Sequence, residues 1–153
     1  MVQEEMSTGN QRVNGLVVRT YSAEDQRAVI DLWDRCGLLR PWNNPGKDIC
    51  RKLRANSDWF FVAVVGNKIV GSIMIGYEGH RGWINYLAVD PSLRRQGVGR
   101  RLMEQAEELL RKAGCPKINL QVRSANKEAA DFYAVLGYLR DDVICFGKRL
   151  DPD

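Results

Sequence analysis

A mixed α/β fold is predicted for this chain, built on a mostly antiparallel central sheet that carries one parallel strand pair and has helices on both faces. Three observations lead to it. Apolar runs punctuated by tight-turn signals place three strands in succession between Trp59 and Val89. Two helical stretches precede that run, so the chain is not a strand-only barrel. After it, a long amphipathic segment separates Trp83–Val89 from a further apolar stretch, Ile118–Val122, the spacing a parallel crossover needs. With 153 residues, 44% hydrophobic and 27% charged, the chain has the size and composition of one globular domain.

The elements follow in order. Leu16–Tyr21 alternates enough for a first strand. Ser22 and Asp25 resemble a capping box, with Asp in the usual place of Glu, so a helix is expected next. Val29, Leu32, Trp33 and Cys36 form its apolar stripe and Gly37 ends it. Arg40 to Gly46 (RPWNNPG) reads as a loop, followed by a short helix carrying Ile49 and Leu53. Trp59–Val65 is a buried strand, and Gly66-Asn67 turns it into Lys68–Tyr77 as a hairpin. The turn Glu78-Gly79-His80-Arg81-Gly82 leads into Trp83–Val89, which Asp90-Pro91 stops because proline cannot donate to a ladder. A helix is expected over Gly97–Ala113, with Leu102, Met103, Ala106, Leu109 and Leu110 inward and Gly114 as its cap. Ile118–Val122 is a strand, Asn126–Leu136 a helix closed by Gly137, and Tyr138–Leu150 a last strand. One domain over residues 1–153 is expected, with residues 1–14 as a flexible lead-in, too polar for a signal peptide.

Several function classes drop out. The longest apolar run, Trp59–Val65, is seven residues, where a membrane-crossing helix needs about 20. The four cysteines are 14, 65 and 30 residues apart, without a C-x-x-C, and His80 is the single histidine. No metal site is therefore expected, and reduced thiols in a cytoplasmic protein fit better than disulfides. The net charge of +4 is low for a nucleic-acid binder but suits a local anionic ligand.

The stretch Leu87 to Leu102 (LAVDPSLRRQGVGRRL) carries the chemistry. A buried strand ends, an arginine-rich loop follows, and Gly97 and Gly99 sit where a helix begins. A helix's first turn leaves N–H groups unpaired and carries the positive end of the macrodipole. Glycines let the backbone curl round an anion without a Cβ in the way. A pyrophosphate cradle results, with charge from Arg94, Arg95 and Arg100. It is not a nucleotide P-loop, which ends in Gly-Lys-Ser/Thr. Nor is it the dinucleotide fingerprint, because Leu102 stands where the third glycine belongs.

Arg94-x-x-Gly97-x-Gly99 after Leu87-Ala88-Val89 resembles the acetyl-coenzyme A signature of the GNAT superfamily of N-acetyltransferases. About 27 residues after Gly99, Asn126-x-x-Ala129-x-x-Phe132-Tyr133-x-x-x-Gly137-Tyr138 resembles that superfamily's second motif. The likeness spans about Ile69 to Leu150, over half the chain. Leu32-Trp33-Asp34-Arg35-Cys36, Leu39 to Asn43, Gly79 to Gly82, Gly114 to Lys117 and Gly147 to Leu150 resemble the YpeA-type bacterial members.

The resemblance implies acetyl-CoA as acetyl donor, a primary amine as acceptor, and direct attack within a ternary complex. The pantetheine arm would lie along Leu87, Ala88 and Val89, which requires Ile118–Val122 to splay away. The Val89 N–H would meet the acetyl oxygen. The pyrophosphate would sit on Arg94, Arg95, Gln96, Gly97, Val98, Gly99 and Arg100. Asn126 would bond the pantetheine arm, and Tyr133 would protonate the departing thiolate. The family's basic glutamate has no counterpart, since its position is Trp83. Glu78, His80 and Asn85 are the nearby candidates, and Glu78 alone among them is a carboxylate. Trp42, in the loop with Arg40, Pro41 and Asn43, would border the acceptor together with His80 and Asn85. No nucleic acid and no membrane are expected as partners, and a homodimer is left open.

Two other readings stay open on sequence grounds. The missing glutamate suits a non-catalytic acyl-CoA-binding or regulatory module of the same fold. A nucleic-acid binder could use the Arg94 to Arg101 cluster but lacks stacking aromatics around it.

Overall fold

The computed structural model describes residues 13–153. Most of the expected lead-in lies outside the described residues, but Val13 packs against the core. Five strands lie in the order β1 (Leu16–Thr20), β2 (Phe60–Val65), β3 (Lys68–Tyr77), β4 (Gly82–Val89) and β5 (Ile118–Leu120). The first four are antiparallel neighbours, and β5 runs parallel to β4.

Helices α1 (Gln26–Arg35) and α2 (Pro45–Asn56) cover one face. Val29, Leu32 and Trp33 of α1 and Ile49 of α2 meet Tyr21, Phe60, Val62, Met74 and Ala88 there. Helices α3 (Val98–Lys112) and α4 (Lys127–Val135) cover the other. Leu102, Met103, Ala106 and Leu110 of α3 pack on Ala63, Val70, Ile73, Ile75 and Ile84. β3 is buried on both faces, which is why Lys68–Tyr77 reads as a continuous apolar run.

Local chemistry explains where the helices begin. The Asp25 carboxylate accepts the Ser22 N–H at 2.8 Å and pairs with Arg19 at 2.7 Å, above a short 3-10 turn that leads into α1. Asn44 caps α2 by accepting the Lys47 N–H at 3.1 Å, with Pro45 in the first helical position. This start makes α2 a helix of 12 residues, not a short one.

The structure differs from expectation at several element ends and in one whole element. Trp59 belongs to a 3-10 turn before β2. β5 stops at Leu120, two residues early. Tyr138–Leu150 forms no strand. Its apolar residues Leu139, Val143, Ile144, Phe146 and Leu150 stay exposed instead of packing on the sheet, and Asp141, Asp142 and Gly147 to Arg149 interrupt the apolar pattern. Side chains tether it instead: Asp141 accepts from Lys117 and Asn119, and Asp153 from Arg51 and the Asn44 N–H. No helix among the described residues is long and apolar enough to cross a membrane.

Candidate active site

The register of β4 creates the site. Met74 faces Asn85 and Ser72 faces Ala88 across the β3–β4 pair, so Tyr86 and Leu87 together oppose one residue of β3. This is a β-bulge, and Tyr86 takes a φ of 50° to make it. A left-handed backbone is costly for a bulky residue. The Ser72 hydroxyl holds it, accepting the Trp33 Nε1–H at 2.8 Å and donating to the Tyr86 carbonyl at 2.8 Å. The Tyr86 ring stacks on Trp33 with centroids 3.8 Å apart.

Beyond the bulge β4 loses its parallel neighbour. Pairing with β5 covers Gly82, Trp83 and Ile84 and ends there. The Gly82 N–H donates to Lys117 on the β5 side, whereas the Asp90 N–H donates to Val70 of β3, both at 2.8 Å. Successive N–H groups alternate along a strand. Leu87 and Val89 therefore direct theirs away from β3, toward the edge that β5 has left. The Cys36 thiol donates to the Val89 carbonyl at 3.2 Å from the α1 side, with burial pushing that thiol up.

This edge runs into the arginine loop. Asp90, 4% exposed, accepts the Ser92 N–H at 3.0 Å and its hydroxyl at 2.8 Å, and pairs with Arg35 at 3.2 Å. Burial alone would raise its carboxyl; the Ser92 bonds, Lys68 and Arg35 outweigh that and bring it to about 2. Arg95 takes a φ of 62°. It and Tyr86 are the two non-glycine residues with positive φ among the described residues, and both lie here. Gly97 precedes α3 with a φ of 85° and open space where a Cβ would go. The Val98, Gly99 and Arg100 N–H groups form the helix's first turn, with no side-chain cap from Gly97. Arg94 reaches Glu128 at the start of α4 (3.5 Å), and Gln96 is half-buried beside Gly97.

Gly99 is a glycine for another reason than the one expected. A Cβ there would come within 3.0 Å of the Phe132 ring and 3.5 Å of Val89. Its bare backbone lets α3 approach α4, so the conformational demand of the cradle falls on Gly97.

From α4 come the remaining candidates. Asn126 caps that helix by accepting the Ala129 N–H at 3.1 Å, which leaves its amide NH2 to donate elsewhere. Tyr133 is held edge-on between Phe132 and Tyr138, with centroids 5.0 and 5.8 Å away. Burial holds its phenol up to about 12.

Two of the three base candidates, Glu78 and His80, lie apart from this edge. Glu78 closes its turn, accepting the N–H groups of His80 (2.8 Å) and Arg81 and the Trp83 Nε1–H (3.0 Å). The Arg81 and His80 bonds hold it below the ordinary glutamate range. Glu78 and His80 sit at the opposite end of β4 from Val89, roughly 20 Å along the strand at about 3.3 Å per residue. Asn85 is exposed on β4 just before the bulge. Trp42 is 48% exposed, with the Arg123 guanidinium 5.5 Å over its ring.

Ser72, Tyr86 and Asp48 escaped sequence reasoning. Ser72 carried a signal, as the lone hydroxyl in the apolar run from Ile69 to Ile75. Asp48 carried none; only the packing of α2 on the sheet lets it accept the Tyr86 hydroxyl at 2.6 Å.

A strand edge opened by a bulge thus leads toward a glycine-led helix start. The chain belongs to the acetyltransferase (GNAT) family, whose model matches residues 18–138. An acetyltransferase of Sodalis glossinidius is 47% identical over 137 residues, covering 89% of this chain and 96% of that protein. One from Pectobacterium atrosepticum is 48% identical over 136 residues, with the same coverage. Among solved structures, an aminoglycoside acetyltransferase from an uncultured soil metagenomic sample, in complex with sisomicin, superposes with a TM-score of 0.70. It is 25% identical and covers 90% of this chain and 98% of that one.

Proposed function

We propose that this acetyltransferase moves an acetyl group from acetyl-CoA to a primary amine by direct attack while both are bound. One observation carries the reading: the free β4 edge leads through the arginine loop into the first turn of α3. The residues fit the donor. The edge offers the Leu87 and Val89 N–H groups as a neighbouring strand would use them, Gly97 leaves open space at the turn, and the adjoining N–H groups and arginines suit a pyrophosphate. The donor supplies an activated thioester. The Val89 N–H donates to its carbonyl oxygen as negative charge develops. Asn126 donates its free amide to the pantetheine arm, and Tyr133 gives a proton to the sulfur as the C–S bond breaks.

The acceptor lies on the α1–α2 face, bordered by Trp42 and Asn85. Steady turnover of acetyl-CoA with an amine panel tests the reading. The panel holds peptides with free N-termini, free lysine, a polyamine and an aminoglycoside, the last suggested by the structural neighbour. Turnover with at least one amine is expected. Tight coenzyme A binding without turnover on any amine would favour a non-catalytic acyl-CoA-binding module, a reading kept by Trp83 at the position of the family's glutamate.

A further inference from the structure

The acetyl-transfer reading leaves the amine's proton without a destination. Glu78 spends its oxygens on the turn at the far end of β4. The carboxylate joined to the bulge is Asp48 of α2, whose Oδ2 accepts the Tyr86 hydroxyl at 2.6 Å, the separation of a charge-assisted O–H···O bond. Its Oδ1 accepts from Arg51 at 2.7 Å, and Arg51 is shared with Asp153 at 2.9 Å. Both groups lie on the α1–α2 face, and a cavity of about 590 Å³ lined by Asn43, Arg51, Asp153 and Asp48 itself opens on the Asp48 side of the pair. The backbone of Tyr86 leads straight into Leu87 and the free edge.

Resting on that reading, we propose that Tyr86 and Asp48 form the proton-accepting pair for the amine, with Tyr86 meeting the nitrogen and Asp48 acting through it. The ammonium form of the acceptor gives one proton to the Tyr86 oxygen as Tyr86 passes its own to Asp48 Oδ2. Tyr86 ends as it began, Asp48 ends neutral, and the nitrogen keeps the lone pair that attacks the thioester carbon. The C–S bond then breaks, the sulfur takes a proton from Tyr133, the new amide's surplus proton restores Tyr133, and Asp48 releases its proton to water. Burial first, then the Asp48 bond, holds the Tyr86 phenol above its usual range, so it relays without resting as phenolate. Arg51 on α2 and Asp153 on the C-terminal segment face both members of the pair, Lys148, Arg149 and Asp151 line the cavity on the Asp48 side, and α1 presents the Trp33 ring to Tyr86. Asp48 is thus a positioning residue and proton sink, and Tyr86 the group at the substrate.

The test compares Asp48→Asn and Tyr86→Phe with the unaltered protein, using the best alkylamine of the panel and hydroxylamine, which is unprotonated at neutral pH. With the alkylamine, kcat/KM at neutral pH is expected to fall by about 10²–10⁴. The deficit should shrink by about tenfold or more toward about pH 9, where more of the amine is already neutral. With hydroxylamine the loss should stay under about threefold, and acetyl-CoA affinity should hold. Tyr86→Phe keeps its ring on Trp33, so it decides the matter if Asp48→Asn weakens α2. Equal losses on both amines, or none, would overturn the pair. If the unaltered protein turns over no amine, the acetyl-transfer reading falls and takes this one with it; normal turnover with unaffected variants removes the pair alone.

Discussion

Tyr133 illustrates how burial sets a residue's chemistry. Its phenol, held up to about 12 by desolvation, stays protonated throughout the neutral range, as a proton donor must. A free thiolate near 8.5 is a weaker base than that phenolate, so the transfer is uphill by roughly 5 kcal/mol. The same dry surroundings must raise the thiolate for the donation to be useful. Tyr133→Phe should therefore lower kcat by about 10², the low end for a general acid, with acetyl-CoA affinity nearly unchanged. Single-turnover kinetics across neutral pH check this, and an unchanged chemical step would assign Tyr133 to packing alone. Asp90 shows the opposite shift. Its folded value of about 2 lies below the unfolded value of about 3.9, so the native state binds fewer protons between them. The stabilisation is full above about pH 5 and is lost as pH falls toward about 2. Asp90→Asn should cost about 2 kcal/mol at neutral pH and almost nothing at about pH 2, read from urea melts at a series of pH values.

At the scale of elements, the bulge and the start of α3 make separate predictions. Ser72→Ala leaves the Trp33 Nε1–H and the Tyr86 carbonyl without their partner. A buried group left unpaired costs about 1–3 kcal/mol. As the bulge relaxes, coenzyme A affinity should also fall by about tenfold, measured by calorimetry beside thermal melts. Loss of stability with full affinity would separate the bulge from the binding edge. Gly97→Ala and Gly99→Ala should divide in their effects. At Gly97 the new Cβ meets nothing but must adopt a left-handed backbone, and coenzyme A affinity should drop at least tenfold, about 1.4 kcal/mol. At Gly99 the Cβ meets Phe132, so the first effect is on stability, by about 1–3 kcal/mol of overpacking. β3 was legible to the residue because Gly66-Asn67 and Glu78-Gly79 bracket one apolar run. The bulge was not, since nothing local in Asn85-Tyr86-Leu87 announces a slip in pairing; it follows from Ser72 and Trp33, elements away in sequence.

Over the whole molecule, α3 and α4 pack on one face of the sheet and α1 and α2 on the other; on the proposed function the first pair flanks the donor edge and the second walls the acceptor side. The chain order of elements and the two motifs made the donor half readable, because a helix start with its glycines and arginines is contiguous in sequence. The acceptor half was hidden, because Asp48, Tyr86 and the C-terminal Asp153 meet only through tertiary packing. The Tyr138–Leu150 strand was overread for the converse reason: its composition is strand-like, but charged residues break its apolar run and its large apolar side chains stay exposed. The central claim is that the β4 edge beyond Ile84 is free to receive a ligand as a strand would be received. Amide hydrogen exchange, resolved by residue with and without coenzyme A, tests it most directly. Leu87 and Val89 should exchange quickly in the free protein and become strongly protected on binding, together with Val98, Gly99 and Arg100. Binding that leaves Leu87 and Val89 unprotected, or finds them already protected in the free protein, would contradict it.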